Sequence, residues 1–356
     1  MIGRFRVFAA TLVILLSADA LAAQTVERLF YYVDRDEAWE SLETNIERID
    51  VVASTGYSVD EYGVVWGDID PRVTALAAEH DVDVLALIVN PGFDQELLHA
   101  LLSSDAARAR AVASMVELCR RHDLAGIQFD FENISISDRD AYTRFFQEAA
   151  EALHAADCSI SMAVVHRPDV LPGPTRYHGW LFENWRAGYD LAEIGGIADF
   201  VSLMSYSQHT RRTPPGPQAS VRWQRDVVEY FLEHIPASKL SLGIPTSGQH
   251  WYTSQEDRIT PELARSYSEQ VSHDRALALL ERYDGETFWS DEHAVPYGFF
   301  ERGGTWEWIF WEDARSFQAK LGLVDEYGLR GFSVWVLGPE DPAIWRALDA
   351  RAGGRR

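Results

Sequence analysis

The chain has 356 residues, two cysteines and a formal charge of −23, from 32 basic against 55 acidic side chains. So acidic a surface disfavours nucleic acid and anionic membranes as partners, while neutral glycans stay compatible. The length exceeds a typical single domain but suits one (β/α)8 barrel with an insertion, expected as a monomer.

Arg4 and Arg6 give a basic start, Val7 to Leu16 an apolar core and Ala20-Leu21-Ala22 a small-x-small site. This is the pattern of a cleavable secretory signal over residues 1–22. The apolar run is too short to span a bilayer. The mature chain is expected to begin near Ala23, periplasmic or secreted and free of the membrane; an uncleaved anchor is the other reading.

Strand-like runs then fall at residues 29–33, 49–54, 82–89, 126–131, 159–165, 200–205, 240–244 and 331–336. Amphipathic helical patterns lie between them, at 70–80, 105–122, 138–156, 221–234 and 313–327. Eight strands alternating with helices predict an α/β fold, a (β/α)8 TIM barrel over residues 23–351. An open doubly wound sheet is second, because no Gly-rich phosphate loop follows the first strand. Residues 246–309 separate strand seven from helix seven, far more than an ordinary βα loop needs. They hold a helical pattern at 262–283 and the aromatics Phe288, Trp289, Tyr297, Phe299, Trp306 and Trp308. A small inserted α+β subdomain forming one wall of a cleft is expected there, and a disordered tail at 352–356. Cys119 sits late in a helix and Cys158 opens a strand. In an oxidising compartment the pair either bridges or stays free.

The segment Gly126 to Asn133 alternates polar and apolar with a period of two. On a strand, Gln128, Asp130 and Glu132 share one face, and Ile127, Phe129 and Phe131 the other. Buried carboxylates are costly unless hydrogen-bonded, paired or employed. At the C-terminal end of a barrel strand, where active sites of this fold lie, Glu132 is the candidate general acid, with a raised pKa. Asp130, one pleat deeper, can orient it and accept a hydrogen bond from substrate. The two are too close along one strand to act as opposed acid and nucleophile on a sugar. In glycoside cleavage the substrate's own acetamido oxygen is then the nucleophile. The bland alternative is a satisfied polar cluster plugging the barrel.

Those residues resemble the DGxDxDxE strand of family 18 glycoside hydrolases, the chitinase-like enzymes, and most of all their bacterial cell-wall and spore-cortex lytic branch. Further segments agree in order. Leu203-Met204-Ser205-Tyr206 resembles the Met-x-Tyr-Asp end of strand six. Leu242-Gly243-Ile244-Pro245-Thr246, followed by Trp251, resembles strand seven. Trp311-Glu312-Asp313-Ala314-Arg315-Ser316 resembles the start of helix seven, and Gly331 to Gly338 strand eight. The resemblance implies substrate-assisted, retaining hydrolysis of β-1,4-linked N-acetylglucosamine in peptidoglycan or chitin-type glycans. Glu132 would protonate the leaving oxygen, Asp130 hold the acetamido N–H, Tyr206 align the acetamido oxygen, and Trp335 floor the sugar, with Met204 beside it. Three positions depart from the pattern: Ala125 and Gln128 replace acids of the strand, and Ser207 replaces the Asp after Tyr206. Without a carboxylate at 128, Asp130 is expected to ionise more readily.

Asn90 and Asn133 are further candidates for sugar hydroxyls, or else turn caps. Two of Trp180, Trp185, Trp223, Trp251 and Trp289 are expected to stack on sugar. His166, His209 and His250 form no convincing metal set, and no HExxH, CxxC or calcium-loop spacing occurs, so no metal or cofactor is expected. No Gly-x-Ser-x-Gly elbow occurs either. The rival to an enzyme is a chitinase-like lectin that kept the groove and lost turnover.

Overall fold

The computed structural model describes residues 26–210, 213–253 and 266–353. The signal-like residues 1–22, the arginine pair 211–212 and the last three residues lie outside them. The barrel is built from β1 (Glu27–Tyr32), α1 (Asp36–Asn45), β2 (Val51–Val59), β3 (Val65–Gly67), α2 (Pro71–Glu79), β4 (Asp83–Val89), α3 (Gln95–Ser103), α4 (Asp105–His122), β5 (Gly126–Phe129) and α5 (Arg139–His154). It continues through β6 (Ser159–Val165), α6 (Arg176–Leu181), α7 (Leu191–Ile197), β7 (Phe200–Met204), α8 (Val221–Leu232) and β8 (Leu240–Pro245). An insertion follows: β9 (Gly248–Thr253), β10 (Ser266–Val271), α9 (His273–Arg282), β11 (Glu286–Ser290), β12 (Val295–Arg302) and β13 (Thr305–Phe310). The chain then returns through α10 (Ala314–Tyr327), β14 (Gly331–Trp335) and α11 (Ala343–Gly353).

Eight parallel strands run β1-β14-β8-β7-β6-β5-β4-β2, and pairing of β2 back onto β1 closes the cylinder. It is the (β/α)8 barrel expected from the alternation of strands and helices. β5 shows why. Ile127, Phe129 and Phe131 are fully buried on its outer face. Phe129 packs 5.3 Å from both Phe145 and Phe146 of α5. Each such ring contributes about 1.5–3 kcal/mol by leaving water. A one-residue slip would turn these rings into the lumen and the acids into the helical layer.

Three differences from the expected boundaries bear on the site and its surroundings. β5 stops at Phe129, not at residue 131. The Asp130 amide still donates to the Ile88 carbonyl at 2.9 Å, but the Glu132 amide donates to the Asn90 side chain instead. Of the helical pattern at 262–283, the described residues form helix only from His273 to Arg282. Ser272 caps α9 by accepting from the Arg275 amide, and Ser266–Val271 pairs with β9 as a strand. The stretch 254–265 lies outside the described residues. Finally, α11 runs to Gly353, so the first two residues of the expected tail are helical.

The insertion forms a five-stranded antiparallel sheet, ordered β10-β9-β13-β12-β11. Its own core joins Ala276, Leu279 and Leu280 of α9 to Phe300, Ile309 and Trp311. Asp313 and Ser316 form a capping box that starts α10 directly after it. Cys119 and Cys158 are disulfide-bonded, joining the end of α4 to the residue before β6. That resolves the alternative the sequence left open.

Candidate active site

Asp130 and Glu132 both face the mouth of the barrel, where they line a cavity of about 700 Å³. Three side chains hold their segment by its backbone. The Asn90 carboxamide accepts from the Glu132 amide at 3.0 Å and donates to the Glu132 carbonyl at 2.9 Å. The Tyr189 hydroxyl donates to the Phe131 carbonyl at 2.8 Å. Gln95 donates to the Asn133 carbonyl at 3.0 Å. The chain turns at Asn133 with φ of 56°, a left-handed conformation that Asn tolerates, and its side-chain carboxamide donates to the Phe93 carbonyl. Thus the acid leaves the strand ladder without leaving its backbone groups unmet.

Asp130 is 8% exposed, and its Oδ1 finds no hydrogen-bond partner. Burial pushes its carboxyl upward. Gln128 carries no charge to add to that rise, so burial is its cause. Glu132 is raised as well, by burial first and by the charge of Asp130 second. Its carboxyl is therefore held as a proton donor in the neutral range, as an acid catalyst requires. Tyr206 also lines the cavity, and burial pushes its phenol well above the ordinary value, so it stays a neutral hydroxyl.

Met204 and Trp335 line the same cavity. Trp335 leans on Tyr31 at 5.3 Å, and Thr246 exchanges hydrogen bonds with the backbone of the next residue, Val336. Glu132, Asp130, Tyr206, Met204 and Trp335 are thus brought together from three strand ends. Three other candidates stand elsewhere. Gln128 is fully buried beneath the cavity, donating to Ser161 and Ser202 at 3.1 and 3.3 Å. Asn90 is fully buried too and grips the acid's backbone, so it is not open to sugar. Trp251, on β9, is 2% exposed and packs against Phe310 in the inserted sheet, away from the cavity.

Of the five stacking candidates, Trp180, Trp185 and Trp223 line the cavity, one more than expected, whereas Trp289 lies under Arg315. Trp180, 44% exposed, is parallel to Tyr177 at 6.1 Å. His250 is paired with Glu307 inside the insertion, His209 with the Pro214 carbonyl, and His166 stands in the cavity wall. The three histidines therefore share no site. Sequence reading missed Tyr189, Gln95 and Arg186, none of which belongs to a short motif, and weighed His166 only as a metal ligand.

A family model described as glycosyl hydrolases family 18 matches residues 30–340. The chain is 29% identical over 266 residues to the cortical fragment-lytic enzyme of Bacillus subtilis; the match covers 74% of this chain and 58% of that enzyme, so this chain spans less than two thirds of that relative. Among solved structures, a chitinase from Chromobacterium violaceum superposes with a TM-score of 0.80 at 25% identity, covering 91% of this chain and 98% of that one. The spore cortex-lytic enzyme SleL of Bacillus megaterium superposes with a TM-score of 0.78 at 25% identity, covering 91% and 73%. A motif in register across nearly the whole barrel, a buried carboxyl pair at its mouth and a family match over most of the chain agree: the chain belongs to family 18 of the glycosyl hydrolases.

Proposed function

We propose that this chain is a secreted or periplasmic glycosidase that cuts β-1,4 bonds of N-acetylglucosamine-containing glycans with retention of configuration. Glu132 passes its proton to the glycosidic oxygen as the bond from that oxygen to C1 breaks. The acetamido oxygen of the same sugar bonds to C1, giving an oxazolinium ion. Asp130 accepts the acetamido N–H and balances the developing positive charge, and the Tyr206 hydroxyl donates to the acetamido oxygen. Water then attacks C1 and gives a proton back to Glu132 as the five-membered ring opens. Trp335 is the apolar floor on which the sugar rests.

One observation carries this reading. Among the described residues, Asp130 and Glu132 are the only carboxylates lining the cavity. They stand two residues apart on one segment, so neither can attack from the opposite face of the sugar. A nucleophile from the substrate resolves this. Peptidoglycan is placed ahead of chitin, on the likeness to cortex-lytic proteins.

The test is release of a fluorogenic leaving group from N-acetylglucosamine oligomers. Wild type should cleave, and Glu132→Gln should bind without turnover. If both bind and neither cleaves, the protein is a glycan-binding relative instead. Mass analysis of products from peptidoglycan and from chitin hexamer, side by side, ranks the substrates.

A further inference from the structure

The wall of the cavity between β6 and α7 carries a cation that the mechanism does not use. Arg186 ends a π-helical turn, Phe182–Arg186, and lines the cavity partly buried. Such turns recur at functional sites. Acidic side chains outnumber basic ones 55 to 32 in this chain. Arg28, Arg108, Arg225, Arg302 and Arg330 each sit on a carboxylate. Arg186 does not: among the described residues no Asp or Glu pairs with it.

The hydrogen bond of its guanidinium is to a neutral partner. Arg186 Nη2 lies 3.2 Å from His166 Nε2, while His166 Nδ1 lies 3.1 Å from the Met204 carbonyl. The carbonyl must accept, so Nδ1 carries the proton and Nε2 accepts from the guanidinium. Burial and the charge of Arg186 press the His166 pKa down to about 3, so the imidazole adds no positive charge. Burial also lowers the pKa of Arg186, with Tyr177 acting the other way. A second observation lies next to it. The indole N–H of Trp185, another residue of the wall, is buried without a hydrogen-bond partner. The guanidinium, with five N–H groups of which one is used on His166, and the spare indole N–H of the preceding residue are both groups that only donate. Such groups match anions, and the planar guanidinium matches a carboxylate.

We propose that Arg186 forms a subsite for a carboxylate carried by the glycan, so that the substrate is an acidic N-acetylhexosamine polymer and not neutral chitin. This rests on the glycosidase reading above and names its substrate class. The position is suitable. His166 ties Arg186 to Met204, two residues before Tyr206, so the subsite adjoins the sugar being cut. The carboxylate is either the lactyl acid of a muramic-type sugar or an acid group of a peptide attached to it.

The test is binding to Glu132→Gln, which separates recognition from turnover. The probes are a tetrasaccharide alternating N-acetylglucosamine with lactyl-bearing N-acetylmuramic acid, its lactyl methyl ester, and its peptide-bearing counterpart. The free acid or the peptide-bearing form should bind about tenfold or more tightly than the ester, the scale of one charge-assisted hydrogen bond. That advantage should vanish in Glu132→Gln/Arg186→Gln and persist in part in Glu132→Gln/Arg186→Lys. Whichever ligand holds the advantage identifies the source of the carboxylate. Equal binding of all three ligands, or an advantage that survives loss of Arg186, overturns the inference. Cleavage of neutral fluorogenic oligomers by wild type is scored separately, so the glycosidase reading stands or falls on its own.

Discussion

Asn90 grips Glu132 by both backbone groups of the one residue, accepting from its amide at 3.0 Å and donating to its carbonyl at 2.9 Å. The proposed general acid is therefore positioned from a neighbouring strand end and not by its own strand. Asn90→Ala removes both bonds in a fully buried place. It should lower kcat by about 10- to 100-fold, the scale of a misplacement near 1 Å, with a smaller change in KM. Steady-state kinetics on a fluorogenic oligomer check this, and a KM effect larger than the kcat effect would contradict it.

The pH dependence of activity follows from the two causes acting on Glu132. Its carboxyl must be protonated to act, so kcat/KM should fall as pH rises through its raised pKa. Asp130 contributes part of that elevation. Asp130→Asn should therefore move the alkaline limb to lower pH while also lowering the rate. Gln128→Asp adds a carboxylate beneath the pair and should move the same limb the other way. Profiles of kcat/KM against pH for the three proteins decide it; an unmoved limb in both variants would dismiss the coupling.

Stability should respond to the same group with a definite sign. A carboxyl whose pKa is raised by folding stabilises the native state most when protonated. That contribution is complete below the ordinary value of 4.5 and is lost as pH rises through the elevated one. Glutamine cannot ionise. Glu132→Gln should match wild type in acid and melt higher on the alkaline side. The gain is about 1.4 kcal/mol for each unit by which the carboxyl is raised. Thermal melts of both proteins across the pH range measure it.

Tyr206 is kept a neutral hydroxyl by burial. Tyr206→Phe deletes the hydroxyl proposed to donate to the acetamido oxygen and preserves the ring. kcat should drop about 100-fold, as for loss of a single preorganised donor, with thermal stability close to wild type. A variant that keeps its kcat would remove Tyr206 from the reaction.

The alternation around Asp130 was legible because one fact, the two-residue period of a strand, decides which side chains meet the lumen. The closed barrel followed from the repeated exchange of that period for a helical one. What the sequence hid was long-range. Asn90 and Tyr189 meet the acid's segment across 42 and 58 residues. Nothing local distinguishes such an Asn from one that caps a turn. Trp251 and Trp180 are chemically identical, but β9 turns the first into a sheet face and α6 sets the second at the cavity rim. The helical pattern at 262–283 misled because Ser272, the actual cap, sits within it. Arg186 carried no motif, and its meaning lies in the carboxylate that is not beside it.

The Cys119–Cys158 bond closes a covalent ring through 39 positions of sequence, and β5 with both acids lies inside it. A single peptide cleavage anywhere in that ring would leave one molecule with two extra chain ends, not two molecules. On a gel without reductant such nicked protein should migrate with the intact band, and thiol treatment should release the fragments. Nicked material should also retain an anchored acid, since the ends of α4 and β6 that flank it stay fastened to each other.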